Sequence, residues 1–194
     1  MNFVQPIRDW EKINKMYVVL RRNSERDFIL FLLGVSTGLR ISDLLKLKKE
    51  IAFEQYISIH EIKTKKAKQF KIPPYIKKYL VPYARTLNDG DYLFKSRNGR
   101  NQPIDRSWAY RILNDAAKEV GIRHIGTHTL RKTFGYHFYK NTKDIATLQT
   151  LFNHSREDVT LRYIGITQDK LDHAMEKVKM IDDSKLPTTQ HKKE

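Results

Sequence analysis

Six side chains carry the chemistry this sequence can offer: Arg40, Lys63, His128, Arg131, His154 and Tyr163. Two guanidiniums, an ammonium and two imidazoles are suited to gripping a phosphodiester, and a phenol among them supplies a nucleophile. In Gly126-Thr127-His128-Thr129-Leu130-Arg131-Lys132-Thr133-Phe134, His128 and Arg131 stand three apart, hence on one face of a helix. Leu130, Phe134 and Phe138 form its adjoining apolar face. A guanidinium fork matches two phosphate oxygens, and an imidazole moves a proton near neutral pH. Taken alone, the same four letters also describe an exposed His-x-x-Arg on a basic helix. Arg40 follows Thr37-Gly38-Leu39 and precedes Ile41-Ser42-Asp43-Leu44-Leu45, fixed between two apolar segments. A structural pairing with Asp43 or a carbonyl is the plainer reading of that residue by itself. His154 lies at a helix-to-helix junction, and Tyr163 comes nine residues later. A phenol with an ordinary pKa of about 10 attacks phosphorus only when a base and cations support its anion.

Positioning such a set falls to a mainly helical chain. Residues 9–22 read as a first helix, with Ile13, Tyr17 and Leu20 on an apolar stripe. Ser24 is the expected N-cap of a second helix, with Asp27 as its capping-box partner. That helix runs through Phe28, Ile29, Leu32, Leu33 and Val35, apolar enough to be buried, and Gly38 ends it. Ser42 is the expected cap of a short third helix carrying Leu44, Leu45 and Leu47. From Ile51 to Ile72 the period changes to two, which predicts a β-hairpin or small meander turning near residues 65–67. Pro73 and Pro74 open a helix to about residue 87. Further helices are predicted at 105–120, 127–140, 143–152, 156–164 and 168–180. The polar stretch 182–194 contains Pro187 and should fray. With no repeat or linker, residues 1–181 read as one domain, of which 1–23 form an N-terminal helical extension.

Composition limits the alternatives. The chain has 194 residues, 40% apolar and 11% aromatic, enough for one core. No apolar run approaches the roughly 20 residues of a membrane span. The opening Met-Asn-Phe-Val-Gln-Pro lacks the form of a secretory signal, so a cytoplasmic, nucleoid-associated location is expected. The absence of cysteine removes disulfides, thiolate zinc sites and cysteine nucleophiles together. A net charge of +15, from 37 basic and 22 acidic residues, is the footprint of a protein that meets a polyanion, although charge alone also fits a solubilising surface.

Taken in order, these segments resemble the tyrosine recombinase, or phage integrase, family. Thr37 to Leu47 is similar to its first arginine box, and Ile62-Lys63-Thr64-Lys65-Lys66 with Phe70-Lys71-Ile72-Pro73 to its β-hairpin lysine. His128 to Phe134 resembles its His-x-x-Arg box, and Leu151-Phe152-Asn153-His154-Ser155 with Tyr163 its second histidine and nucleophile. The likeness covers about residues 24–180. It implies an α+β catalytic domain, mainly helical with one small antiparallel hairpin. It also implies strand cleavage and rejoining through a 3′-phosphotyrosyl link, with no metal, cofactor or ATP. Arg40 and Arg131 would neutralise the non-bridging oxygens, Lys63 would be the general acid, His128 would assist proton removal from Tyr163, and His154 would bond the phosphate. Lys65 is the alternative to Lys63. Lys65, Lys66, Lys68 and Lys132 are expected DNA contacts, double-stranded DNA the partner, and helix 168–180 the contact of a homo-oligomer, a tetramer on synapsed DNA, with accessory DNA-bending proteins.

Two departures stand out. Only about 23 residues precede the first catalytic-domain helix, where the family usually carries a core-binding domain, so the chain reads as a naturally short member or an excised domain. Asn153 stands where glycine is common, and asparagine tolerates the left-handed backbone. Strand relaxation of the type IB topoisomerase kind, or an accessory DNA-binding role without turnover, remain the alternatives. A metal-dependent nuclease built on His124 and His128 is disfavoured by Gly126 between them and by the lack of a carboxylate cluster.

Overall fold

The computed structural model describes residues 4–60, 67–126 and 128–181. Lys63, Lys65 and Lys66 lie outside the described residues. The elements run α1 (Trp10–Asn23), α2 (Glu25–Thr37), α3 (Ile41–Leu44), a 3₁₀ turn (Lys49–Phe53), β1 (Tyr56–His60), β2 (Ala67–Lys71), α4 (Pro74–Ala84), α5 (Arg106–Glu119), α6 (Thr129–Thr142), α7 (Ile145–Phe152), α8 (Glu157–Tyr163) and α9 (Ile166–Glu176). This is the mainly helical architecture with one small antiparallel hairpin that the sequence predicts. The strands pair from Tyr56↔Lys71 to His60↔Ala67, with Lys68 opposite Ile59. Ile57 is fully buried, which anchors one face of the hairpin to the core.

Several local expectations shift. Ser24 does sit at the N-cap of α2, but its side chain makes no capping bond. Asp27 is not its capping-box partner: it is buried and paired with Arg26 at 2.8 Å, while Arg26 also donates to the Lys95 carbonyl. Burial decides this, because a carboxylate so enclosed needs the nearest guanidinium more than a helix-end amide does. Arg40, not Ser42, caps α3, its carbonyl accepting the Asp43 and Leu44 amides. The last helix begins two residues earlier than predicted and ends at Glu176, because Gly165, with φ of 86°, breaks the chain from α8 directly into it.

Buried side chains gather into two cores joined by α6. The larger is built on α1, α2, α4 and α5 and includes Leu130, while the smaller contains Tyr136, Leu148, Phe152, Ile164 and Ile166. Glycines let the helices approach at each end. A Cβ on Gly34 would lie 2.4 Å from Leu130 Cδ1, and one on Gly135 would lie 2.6 Å from Ile164 Cγ2 and 2.8 Å from Phe152 Cε2. The start of α6 is thereby wedged against α2, and its middle against the segment that carries Tyr163.

Candidate active site

Arg131 is the best-fixed member of the site. It is 5% exposed, donates to the Gly38 carbonyl at 2.7 Å and the Phe152 carbonyl at 3.0 Å, and lies 4.1 Å from the Phe152 ring centroid. Both acceptors follow from helix ends. Gly38 terminates α2 at φ of 66°, and Asn153, at φ of 54°, terminates α7 just after Phe152. Two left-handed caps thus aim two carbonyls at one guanidinium. Asparagine takes the backbone expected of it from sequence.

Gly38 also delivers Arg40. The flanking Leu39 and Ile41 are buried, which pins the backbone, while the Arg40 side chain is exposed. Its charge reaches both the Tyr163 hydroxyl and His128.

Tyr163 ends α8 half-buried, its hydroxyl 3.3 Å from His128 Nδ1. Its ring packs edge-on to Phe152 at 5.7 Å and to His154 at 5.2 Å between centroids. Burial pushes the phenol pKa up, opposed by the charges of Arg131 and Arg40 and by hydrogen bonding with Arg131. His128 moves the other way: burial, then Lys132, Arg106, Arg131 and Arg40, hold the imidazole below its usual range. The pair is therefore a neutral phenol beside a neutral imidazole, ready for proton transfer once the phenol is made more acidic.

His154 is oriented from behind. Its Nδ1 is 3.0 Å from Thr160 Oγ1, and that hydroxyl lies 3.2 Å from the Arg156 carbonyl. Because the one threonine proton goes to the carbonyl, the geometry fits Nδ1–H of His154 donating to Thr160, which leaves Nε2 as the basic atom.

Sequence reasoning thus brings Arg40, His128, Arg131, His154 and Tyr163 to one place. It misplaces Lys132. That residue is 8% exposed, its Nζ donates to the Val4 carbonyl at 2.7 Å and stands 5.1 Å from the Tyr163 ring centroid. It faces inward because the segment before α1 covers this side of α6, a long-range packing choice that no local pattern encodes. Sequence reasoning also missed Arg106, the first residue of α5, whose charge acts on His128. Beside His128 a shallow cleft is lined by Tyr110, Asn114, Arg123 and His124. A helix-opening arginine after the Asp105 cap was the only available signal. Among the described residues no group of three or more His, Asp and Glu side chains could hold a metal ion, and no helix is long and apolar enough to cross a membrane.

The chain is similar to several known proteins. Residues 9–170 match the model of the phage integrase family. The chain is 47% identical over 170 residues to the probable integrase/recombinase YoeC of Bacillus subtilis (strain 168), covering 87% of this chain and 93% of that one. It is 31% identical over 176 residues to tyrosine recombinase XerA of Thermococcus onnurineus (strain NA1), covering 89% of this chain but only 62% of that relative. In fold it is similar to a crystal structure of XerA recombinase, with a TM-score of 0.70 at 21% identity over 91% of this chain and 67% of that one. It is also similar to XerH site-specific recombinase bound to a palindromic difH substrate in a post-cleavage complex, with a TM-score of 0.69 at 19% identity over 91% and 54%.

Proposed function

Because the chain belongs to the phage integrase family, we propose that it is a site-specific recombinase that cleaves and rejoins DNA through a 3′-phosphotyrosyl link at Tyr163. The observation that carries this reading is the Tyr163 hydroxyl on His128 Nδ1 at 3.3 Å, beside an Arg131 fixed by two carbonyls. A phosphodiester entering between Arg40 and Arg131 brings its non-bridging oxygens to two guanidiniums. The Tyr163 oxygen attacks phosphorus, its proton passes to His128, and the bond to the 5′ oxygen breaks. Lys63 returns a proton to that oxygen. The phosphotyrosyl link keeps the bond energy, so a 5′-hydroxyl from a partner strand reverses the step without metal or ATP. Arg40 and Arg131 act where charge builds up in the pentacoordinate state, a role in which each donor contributes about 3 kcal/mol. His154, braced through Nδ1 by Thr160, donates from Nε2 to the phosphate in its imidazolium form.

Lys65, Lys66 and Lys68, with Arg106 and Arg123 added from the folded surface, approach the DNA backbone. Leu171 and Met175 of α9, four residues apart, and Val178 just beyond it are more than half exposed, and these apolar side chains support α9 as the contact between protomers on synapsed DNA, with accessory DNA-bending proteins assisting. The test is a pool of nicked duplexes with randomised cores, in which cleavage releases a short fragment and traps the adduct. Wild-type protein is expected to give a denaturant-stable protein–DNA adduct and Tyr163→Phe none. An adduct formed equally by Tyr163→Phe would overturn the assignment.

A further inference from the structure

The irregular segment before α1 is tied to the catalytic helix from end to end. The Val4 carbonyl accepts from Lys132 Nζ at 2.7 Å, the Ile7 amide donates to Thr133 Oγ1 at 2.9 Å, and the Ile7 carbonyl meets His137 Nε2 at 2.9 Å. Arg8 donates to Asp169 of α9 at 2.8 Å and stands 5.5 Å from the Tyr136 ring centroid. Two glycines record how closely this strap lies. A Cβ on Gly126 would come 2.7 Å from the Val4 side chain, and one on Gly165 would come 2.8 Å from Arg8 Nη2 and 3.3 Å from Pro6. Gly126 precedes His128 by two residues and Gly165 follows Tyr163 by two. The strap therefore touches the chain on both sides of the imidazole–phenol pair.

Lys132 links the strap to that pair. A lysine 8% exposed gives up hydration and rotamer freedom that an apolar side chain would not. Here its stem turns inward, its ammonium is bound by a carbonyl of the strap, and the same ammonium lies within cation–π range of the Tyr163 ring. Ring position matters because the hydroxyl must stay in line with the phosphorus, and displacements of about 1 Å cost up to roughly 100-fold in rate.

We propose that Lys132 is a positioning residue for Tyr163, held in place by residues 4–8, so that the strap belongs to the apparatus that sets the nucleophile. Only what the tyrosine attacks rests on the recombinase reading; the latch itself does not. Arg131, Arg40, His128 and His154 also face the phenol, and Lys132 joins it to the strap through its bond to the Val4 carbonyl. A lysine serving as a DNA contact would instead add to affinity and to its salt dependence.

The experiment uses the full chain with Lys132→Met, Lys132→Arg and a strap-release variant, Arg8→Gln with Thr133→Val, which alters neither Lys132 nor Tyr163. The first readout is the ring resonance of Tyr163 in protein carrying 13C-tyrosine, assigned through Tyr163→Phe. It is expected to shift or broaden in Lys132→Met and in the strap-release variant, and to stay near wild type in Lys132→Arg. The second is the single-turnover adduct rate at saturating nicked duplex, expected to fall about tenfold in Lys132→Met with DNA affinity within twofold of wild type. An unchanged Tyr163 signal on strap release overturns the latch whether or not DNA is cleaved. Weaker DNA binding with an unchanged saturating rate in Lys132→Met overturns it in favour of a DNA contact. Absence of any wild-type adduct would count against the recombinase reading and leave the first readout to decide the latch.

Discussion

At the scale of single residues, the site depends on how Arg131 is held as much as on its charge. The guanidinium donates to the Gly38 and Phe152 carbonyls from a rigid fork, a geometry that one ammonium cannot reproduce. Arg131→Lys should therefore lower the single-turnover cleavage rate by about 100-fold, measured as adduct formation at saturating DNA. His128 gives a second residue-scale prediction. Its pKa is held below the usual imidazole range by burial and four neighbouring cations, so the neutral, proton-accepting form persists at pH values where a free histidine is half protonated. The cleavage rate should hold down through about pH 6.5 and decline only below it. A decline already centred above pH 7 would show that another group governs the step.

At the scale of elements, helix ends do the positioning. The left-handed caps at Gly38 and Asn153 each turn a carbonyl toward Arg131, and Gly38 also leads into Arg40. Gly38→Ala meets two penalties at once: a backbone at φ of 66° and a Cβ 2.3 Å from Phe134 Cδ1. Left-handed strain alone costs about 1–2 kcal/mol, so thermal denaturation should show a clear drop in Tm. Asn153→Gly, in contrast, should leave Tm nearly unchanged, because glycine adopts the same conformation freely. The two glycines of the α6 interfaces obey a different constraint. Gly135→Ala would press a methyl between Ile164 and Phe152, an overpacking of about 1–3 kcal/mol that also displaces the segment bearing Tyr163. Its adduct rate and its Tm should fall together.

For the whole molecule, charge and packing act in opposite directions on stability. A net charge of +15 draws in a polyanion and makes that binding salt-dependent. Protonation of the partly enclosed His128 and His137 imidazoles adds to the load. His128 and His137 are both held below the ordinary histidine range by burial, so the unfolded chain binds more protons than the folded one as pH falls through about 6.5. Stability rises with pH in that window, and Tm should decrease between pH 7 and pH 5; a Tm that rose on acidification would contradict the lowered pKa of both rings.

How much of this was legible beforehand follows from which interactions are local. Helix and strand periods, the glycine at position 38, and the order Arg40, His128, Arg131, His154, Tyr163 are properties of short stretches, so sequence determined the mainly helical fold and the composition of the cage. Where Asp27 and Lys132 point was not legible. Each is decided by a partner or a cover far along the chain, Lys95 beside Arg26 in one case and Val4 over α6 in the other. Charge pattern marked Lys132 as a surface cation, and only the folded chain, by laying residues 4–8 across the helix, turned it inward against Tyr163. Sequence specified which groups were available; tertiary packing, through contacts 69 and 128 residues apart, decided which of them meet around Tyr163 and which hold the others still.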